Sequence, residues 1–114
     1  MACQVDTEWG ELKRVVVGHG RDMGTPASEK TAFDPTSYYH LKQGNYPSHA
    51  QVKLQLDGLA SVLTKHGVEV VRPIDQPELE QVFARDVGMV IEDRFFRSAM
   101  IEDRADEWAG ISPL

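Results

Sequence analysis

Leu12-Lys13-Arg14-Val15-Val16-Val17-Gly18 decides how the rest of this chain is read. Three consecutive β-branched residues without polar alternation predict a strand covered on both faces, closed by a glycine, and placed centrally in a sheet. Downstream, Ser48 and Gln51 have the spacing of a capping box. Val52, Leu56, Leu59 and Leu63, joined by Ala60, then recur at helical spacing as one apolar stripe. Lys65-His66-Gly67 supplies positive charge and a left-handed stop. Val68-Glu69-Val70-Val71 follows as a second strand, ended by Arg72-Pro73. The first unit is thus strand–loop–helix–strand over residues 11–73.

The stretch between strand and helix, His19 to Pro47, holds Gly20, Gly24, Pro26, Pro35, Gly44 and Pro47 and little periodicity. It reads as a long loop, and loops of that length are usually functional or disordered. Phe33, Tyr38, Tyr39 and Tyr46 argue for a loop folded back over the domain. After a linker, Ile74 to Glu80, comes a second unit over residues 81–114. Short strands are expected at Val82–Ala84 and Met89–Ile91, a turn at Glu92-Asp93, and a strand from Arg94 to Ala99. A helix is expected from Glu102 to Ala109, with Ile101, Ala105 and Trp108 on one side. The two units repeat only in the coarse order of their elements, and the whole chain, 1–114, reads as one α/β domain.

Between the strands of the second unit stands Arg85-Asp86, an adjacent cation and anion in an otherwise apolar run. Burying such a pair is costly unless something satisfies it. Two readings follow: a structural ion pair at a strand end, or a site for a cationic ligand.

Composition narrows the choice of ligand. The 114 residues carry 18 acidic and 12 basic side chains, a formal charge of −6, with 41% hydrophobic and 26% charged content. That is the profile of a soluble globular domain with a modest core. Net negative charge and scattered basic residues speak against nucleic acid or an anionic membrane and for a cationic or neutral small ligand. No apolar stretch reaches bilayer length, and the N-terminus lacks a basic-then-apolar leader, so a cytoplasmic location is expected.

Cys3 is the single cysteine. It allows no internal disulfide, and in a terminus expected to fray it is poorly placed as a nucleophile. His19, His40, His49 and His66 share no metal-ligand spacing, so no metal is implied. Gly18-His19-Gly20-Arg21-Asp22-Met23-Gly24 follows a strand but lacks the order and the Lys-Ser/Thr ending of a phosphate loop. Tyr38-Tyr39 either lids a cavity or anchors the loop to the core.

Three segments together resemble the N-terminal part of the guanidino-group-modifying, or pentein, superfamily, which includes amidinotransferases, arginine deiminases and dimethylarginine dimethylaminohydrolases. Glu8 to Gly18 resembles the opening strand of the amidinotransferases. Leu56-Asp57-Gly58-Leu59 through Val71-Arg72-Pro73 resembles their first helix and following strand. Phe83-Ala84-Arg85-Asp86, with Arg104-Ala105-Asp106-Glu107-Trp108 after a hairpin, resembles their Arg-Asp segment and an Arg-x-x-Glu-aromatic stretch.

The resemblance implies a partial α/β propeller: about two ββαβ-type modules with mixed sheets and one long helix. It implies that Asp86, flanked by Arg85, is a substrate-site carboxylate gripping a guanidinium. The underlying chemistry is sound, because a carboxylate accepts two parallel hydrogen bonds from that planar cation. It also implies that Arg104 lies near the substrate's carboxylate and that Asp22, after the first strand, faces the ligand. The plainer alternatives are a helix arginine paired with Glu107 or Asp103, and a solvated loop aspartate. No position matches the family's catalytic histidine, acidic partner or nucleophilic cysteine.

A truncated amidinotransferase-like module that binds a guanidino compound without catalysing transfer alone is therefore expected, with no cofactor. The competing expectations are a noncatalytic interaction protein, or one part of an enzyme completed by another polypeptide. Two blades of a closed ring leave apolar faces and sheet edges open, so a homo-oligomer, by base rate a dimer, is expected.

Overall fold

The computed structural model describes residues 2–32 and 34–114. The expectation for Phe33 lies outside the described residues. Strand β1 spans Arg14–Val16 and pairs in parallel with β2, Glu69–Val71, in the register Arg14↔Glu69, Val15↔Val70, Val16↔Val71. Parallel neighbours need a long crossover, and two helices fill it: α1, Pro35–Gln43, and α2, His49–Lys65. Among the described residues β2 is the only strand beside β1, so β1 is not the central strand expected from its valines. Past its end the chain makes an isolated antiparallel bridge, His19 to Gln81.

Helix α1 corrects the expectation of a continuous loop. The Asp34 carboxylate accepts from the Ser37 amide and hydroxyl, both at 2.8 Å, Pro35 occupies the first helical position, and Gly44 stops the helix at φ 74°. A proline that breaks a helix interior is favoured at its first turn, where no amide partner is needed. Tyr38 and Tyr39 lie on this helix and are exposed, whereas Tyr46 is half-buried.

Helix α2 has the predicted capping box. The Ser48 amide donates to Gln51 Oε1 at 2.8 Å, and the Gln51 amide donates to Ser48 Oγ at 3.2 Å. Val52, Leu56, Ala60 and Leu63 are half-buried on the side facing the domain, and α2 packs on β2; Leu59 is exposed and leaves the predicted stripe. Arg72, just beyond β2, fastens this layer. Its guanidinium donates to the Val17 and Gly18 carbonyls at 3.1 and 3.0 Å and to Asp57 Oδ1 on α2 at 3.2 Å.

In the second unit a hairpin joins β3, Gly88–Ile91, to β4, Arg94–Arg97, antiparallel with Met89 opposite Phe96 and Val90 opposite Phe95. Glu92-Asp93 forms the turn as predicted, Glu92 at φ 54°. The expected strand at Val82–Ala84 is instead an approach to a single 3₁₀ turn, Ala84–Asp86. The expected helix begins as a 3₁₀ run, Glu102–Glu107, and continues as a short helix α3, Trp108–Ile111. Trp108 packs on Phe95, with ring centroids 5.7 Å apart, and under the Arg97 guanidinium at 4.7 Å. Ile101 is exposed and does not share that packed side.

The N-terminal segment is fastened and not frayed. Val5 exchanges two backbone hydrogen bonds with Glu92 at 2.9 and 2.7 Å, and the Ala2 carbonyl accepts from Arg14. The fold is thus mixed α/β with one parallel and one antiparallel two-stranded sheet, neither of them internally mixed and neither closed into a barrel. Among the described residues no helix is long and apolar enough to cross a membrane.

Among the described residues the buried apolar side chains are Val17, Val68, Pro73, Val87 and Ile111, interleaved with buried His19, Gln81 and Glu107. Gln81 is held at both ends of its amide: Oε1 accepts from the Gln76 amide at 2.8 Å, and Nε2 donates to the Ile74 carbonyl at 2.9 Å. Gly110 lies against it so closely that a β-carbon there would collide with the Gln81 amide nitrogen and the Ile74 carbonyl.

Candidate functional site

Asp86 ends the 3₁₀ turn made by the hydrogen bonds Asp86 N to Phe83 O, 3.0 Å, and Val87 N to Ala84 O, 3.1 Å. The fully buried Val87 side chain anchors that turn from below. The premise of a buried Arg85-Asp86 pair is corrected here. The Arg85 side chain is 89% exposed, and its Nε reaches Asp86 Oδ1 only at 3.4 Å. The Asp86 side chain is 38% exposed and turns toward the 3₁₀ run that follows the hairpin.

There it meets Arg104, whose Nη1 donates to Asp86 Oδ2 at 3.1 Å. The same guanidinium grips Glu107 with two hydrogen bonds, Nε to Oε2 at 2.7 Å and Nη2 to Oε1 at 3.2 Å. This fork-on-fork pairing is the strong geometry for the two groups. Glu107 is 3% exposed, so its charge depends on that partner. The Arg104 pKa is raised, first by its hydrogen bond to Glu107 and then by the one to Asp86, against some desolvation, which keeps it a cation.

Glu80 adds to the negative field. Its residue surface remains exposed overall, yet its pKa is pushed up, first by desolvation and then by the Glu107 charge. The triad of Asp86, Arg104 and Glu107 carries one net negative charge, and it borders an open depression of about 260 Å³ lined by Asp86, Ser98, Ala99, Met100, Ile101 and Arg104. A second depression of about 220 Å³, lined by Val87, Arg97, Ala105 and Trp108, shares the Ser98–Met100 segment.

The four residues singled out in the sequence separate in space. Asp86 and Arg104 are bonded to each other, and Arg85 stands at their outer edge. Asp22 is an exposed loop residue whose carboxylate accepts from the Gly24 amide at 3.3 Å, and it does not line the depression. Glu107 is the member that sequence reasoning used only as an alternative partner for Arg104. Its spacing of three residues from Arg104 was the available signal.

His19 carries a different polar role. It is 2% exposed; Nε2 lies 3.1 Å from the Pro73 carbonyl, and the Arg21 amide donates to Nδ1 at 3.3 Å. That pattern requires the neutral ring with its proton on Nε2. Desolvation is the main cause that lowers its pKa from 6.5. Cys3 is half-buried in the N-terminal segment. Among the described residues no group of three or more His, Cys, Asp or Glu side chains converges as a metal site. No protein-family model matches this chain, and no curated protein matches it either.

Proposed function

We propose that this chain is an amidinotransferase-like module that binds a guanidino compound at Asp86, built as part of a pentein-type α/β propeller. The observation that carries the proposal is the asymmetry of the Asp86 carboxylate. Arg104 holds Oδ2, whereas Oδ1 has only the long contact to Arg85, a side chain standing almost wholly in water. An incoming guanidinium displaces that contact at little cost, since exposed ion pairs are worth little. It then gains a charge-assisted hydrogen bond beside the Asp86–Arg104–Glu107 triad, which carries one net negative charge. The ordered likeness of the three segments to the amidinotransferases supports the same ligand class, and the parallel β1–β2 pair across a helical crossover suits the propeller reading.

The proposed role is recognition. Amidino transfer needs a thiolate nucleophile with a histidine to move the proton, and Cys3 does not match the family's nucleophile position.

The test is calorimetry with arginine, agmatine and lysine on the native chain and on Asp86→Asn. Arginine and agmatine are expected to bind, lysine to bind at least about tenfold more weakly, and Asp86→Asn to weaken arginine by at least about tenfold, because a single good ionic hydrogen bond is worth that factor. Arginine affinity unchanged by Asp86→Asn, in a variant with native circular dichroism, overturns the assignment.

A further inference from the structure

The chain exposes 8403 Å² of surface. A monomer of its mass, 12.8 kDa, scales to about 6300 Å². Its radius of gyration, 15.3 Å, likewise exceeds the roughly 13 Å expected for a compact chain of this length. The surplus, about 2100 Å², is more than the roughly 800 Å² that each partner gives to a standard interface, and it matches a permanent one.

Helix α2 indicates where part of that surface is used. Leu54 is 74% exposed and Val62 54% exposed, and they flank Gly58 at intervals of four residues along one line of the helix. A glycine inside a helix lowers its stability relative to alanine. At Gly18, Gly88 and Gly110 the reason is plain, since a β-carbon would collide with atoms of the chain itself. At Gly58 a β-carbon would meet nothing within 4 Å. Nothing inside the fold calls for this notch between two large apolar side chains. A notch of that kind lets a second helix pack at the near end of the usual interaxial range.

We infer that the Leu54–Gly58–Val62 line of α2 is the contact by which two copies of this chain form an antiparallel, two-fold dimer. The pattern is self-complementary. A two-fold axis through Gly58 seats Leu54 of each copy against Val62 of the other, so one patch serves both sides. Charge favours the same occupant. The Leu54–Gly58–Val62 line carries no charge, and the carboxylate beside it, Asp57, is paired with Lys53 at 2.8 Å and Arg72 at 3.2 Å, so a second copy of this acidic chain meets no unpaired anion on α2. The open face of the β3–β4 hairpin, with Met89, Ile91 and Phe96, is interrupted by Arg94, which stands opposite Ile91.

The experiment is sedimentation equilibrium on the full chain from micromolar to sub-millimolar concentration, with Leu54→Lys and Gly58→Ala alongside. A concentration-dependent dimer is expected for the native chain. Leu54 is exposed in the fold, so Leu54→Lys should keep native circular dichroism and shift the population to monomer. Gly58→Ala should weaken association by at least about tenfold while raising the thermal midpoint of the monomer, since alanine is the better helix former. Opposite signs on association and monomer stability are the signature of the notch. A native chain that stays monomeric throughout overturns the inference, and so does a dimer, or a complex with another protein, that neither substitution disturbs.

Discussion

Replacing Arg104 by leucine tests the central electrostatic unit of this protein. Arg104 makes two hydrogen bonds to Glu107, whose side chain is 3% exposed, so Arg104→Leu leaves a carboxylate buried without its countercharge. Breaking such a pair by removing one member costs about 3–5 kcal/mol. Arg104 itself is 25% exposed, so some water reaches the gap and the lower figure, about 3 kcal/mol, applies. A domain of this length holds a net stability of about 6–17 kcal/mol, and the short roll of buried apolar side chains places this one near the bottom of that span. The variant should therefore lose near half of its stability at pH 7, measured by urea unfolding followed through tryptophan fluorescence and far-ultraviolet circular dichroism.

The double variant Arg104→Leu/Glu107→Leu should recover most of the loss, because it removes the stranded charge along with the pair. A single variant that loses less than about 1 kcal/mol, or a double variant that recovers nothing, refutes the buried-pair argument.

His19 predicts an acid limb of its own. Its folded pKa lies below the unfolded 6.5 because burial disfavours the charged ring, so the unfolded state takes up the proton first and stability should fall as pH drops below about 6.5. His19→Gln should flatten that limb in urea titrations between pH 7 and pH 5, whatever it does to stability at neutral pH. Gly110→Ala places a methyl group against the Gln81 amide and the Ile74 carbonyl, and an overpacking cost of about 1–3 kcal/mol is expected in the same assay.

Local signals with a single physical meaning carried the first unit. The Ser48/Gln51 box, the Lys65-His66-Gly67 stop and the valine run each specify a backbone state by short-range sterics or hydrogen bonding, and each appears within a residue or two of its expected place. Pro35 shows where that reasoning fails. Proline opposes the interior of a helix and favours its first turn, so its meaning depends on the residue before it, and Asp34 is a strong N-cap. Read as Asp-Pro followed nine residues later by a Gly stop, the same letters give α1. That β1 has one strand neighbour among the described residues, and that the N-terminal segment is fastened to Glu92, depend on contacts far apart in sequence, for which no local pattern exists.

The site divides along the same line. Adjacent letters made Arg85 the natural partner of Asp86, but adjacency does not fix the direction in which either side chain points. On a 3₁₀ turn of three residues each neighbour is rotated by about 120° from the last. Once Asp86 turns toward Arg104 in the Glu102–Glu107 run, Arg85 is carried out into water. The partner that replaces it, Arg104, lies eighteen residues on, beyond a hairpin whose turn sets the distance. This rearrangement bears directly on the ligand proposal. A guanidinium approaching Asp86 does not compete with Arg104, which is committed by two hydrogen bonds to a buried carboxylate; it competes with Arg85, which is held by one long contact. Arg85→Ala should therefore leave arginine affinity unchanged or raise it, whereas a fall of more than about threefold would make Arg85 part of the binding surface and the Asp86 edge insufficient on its own.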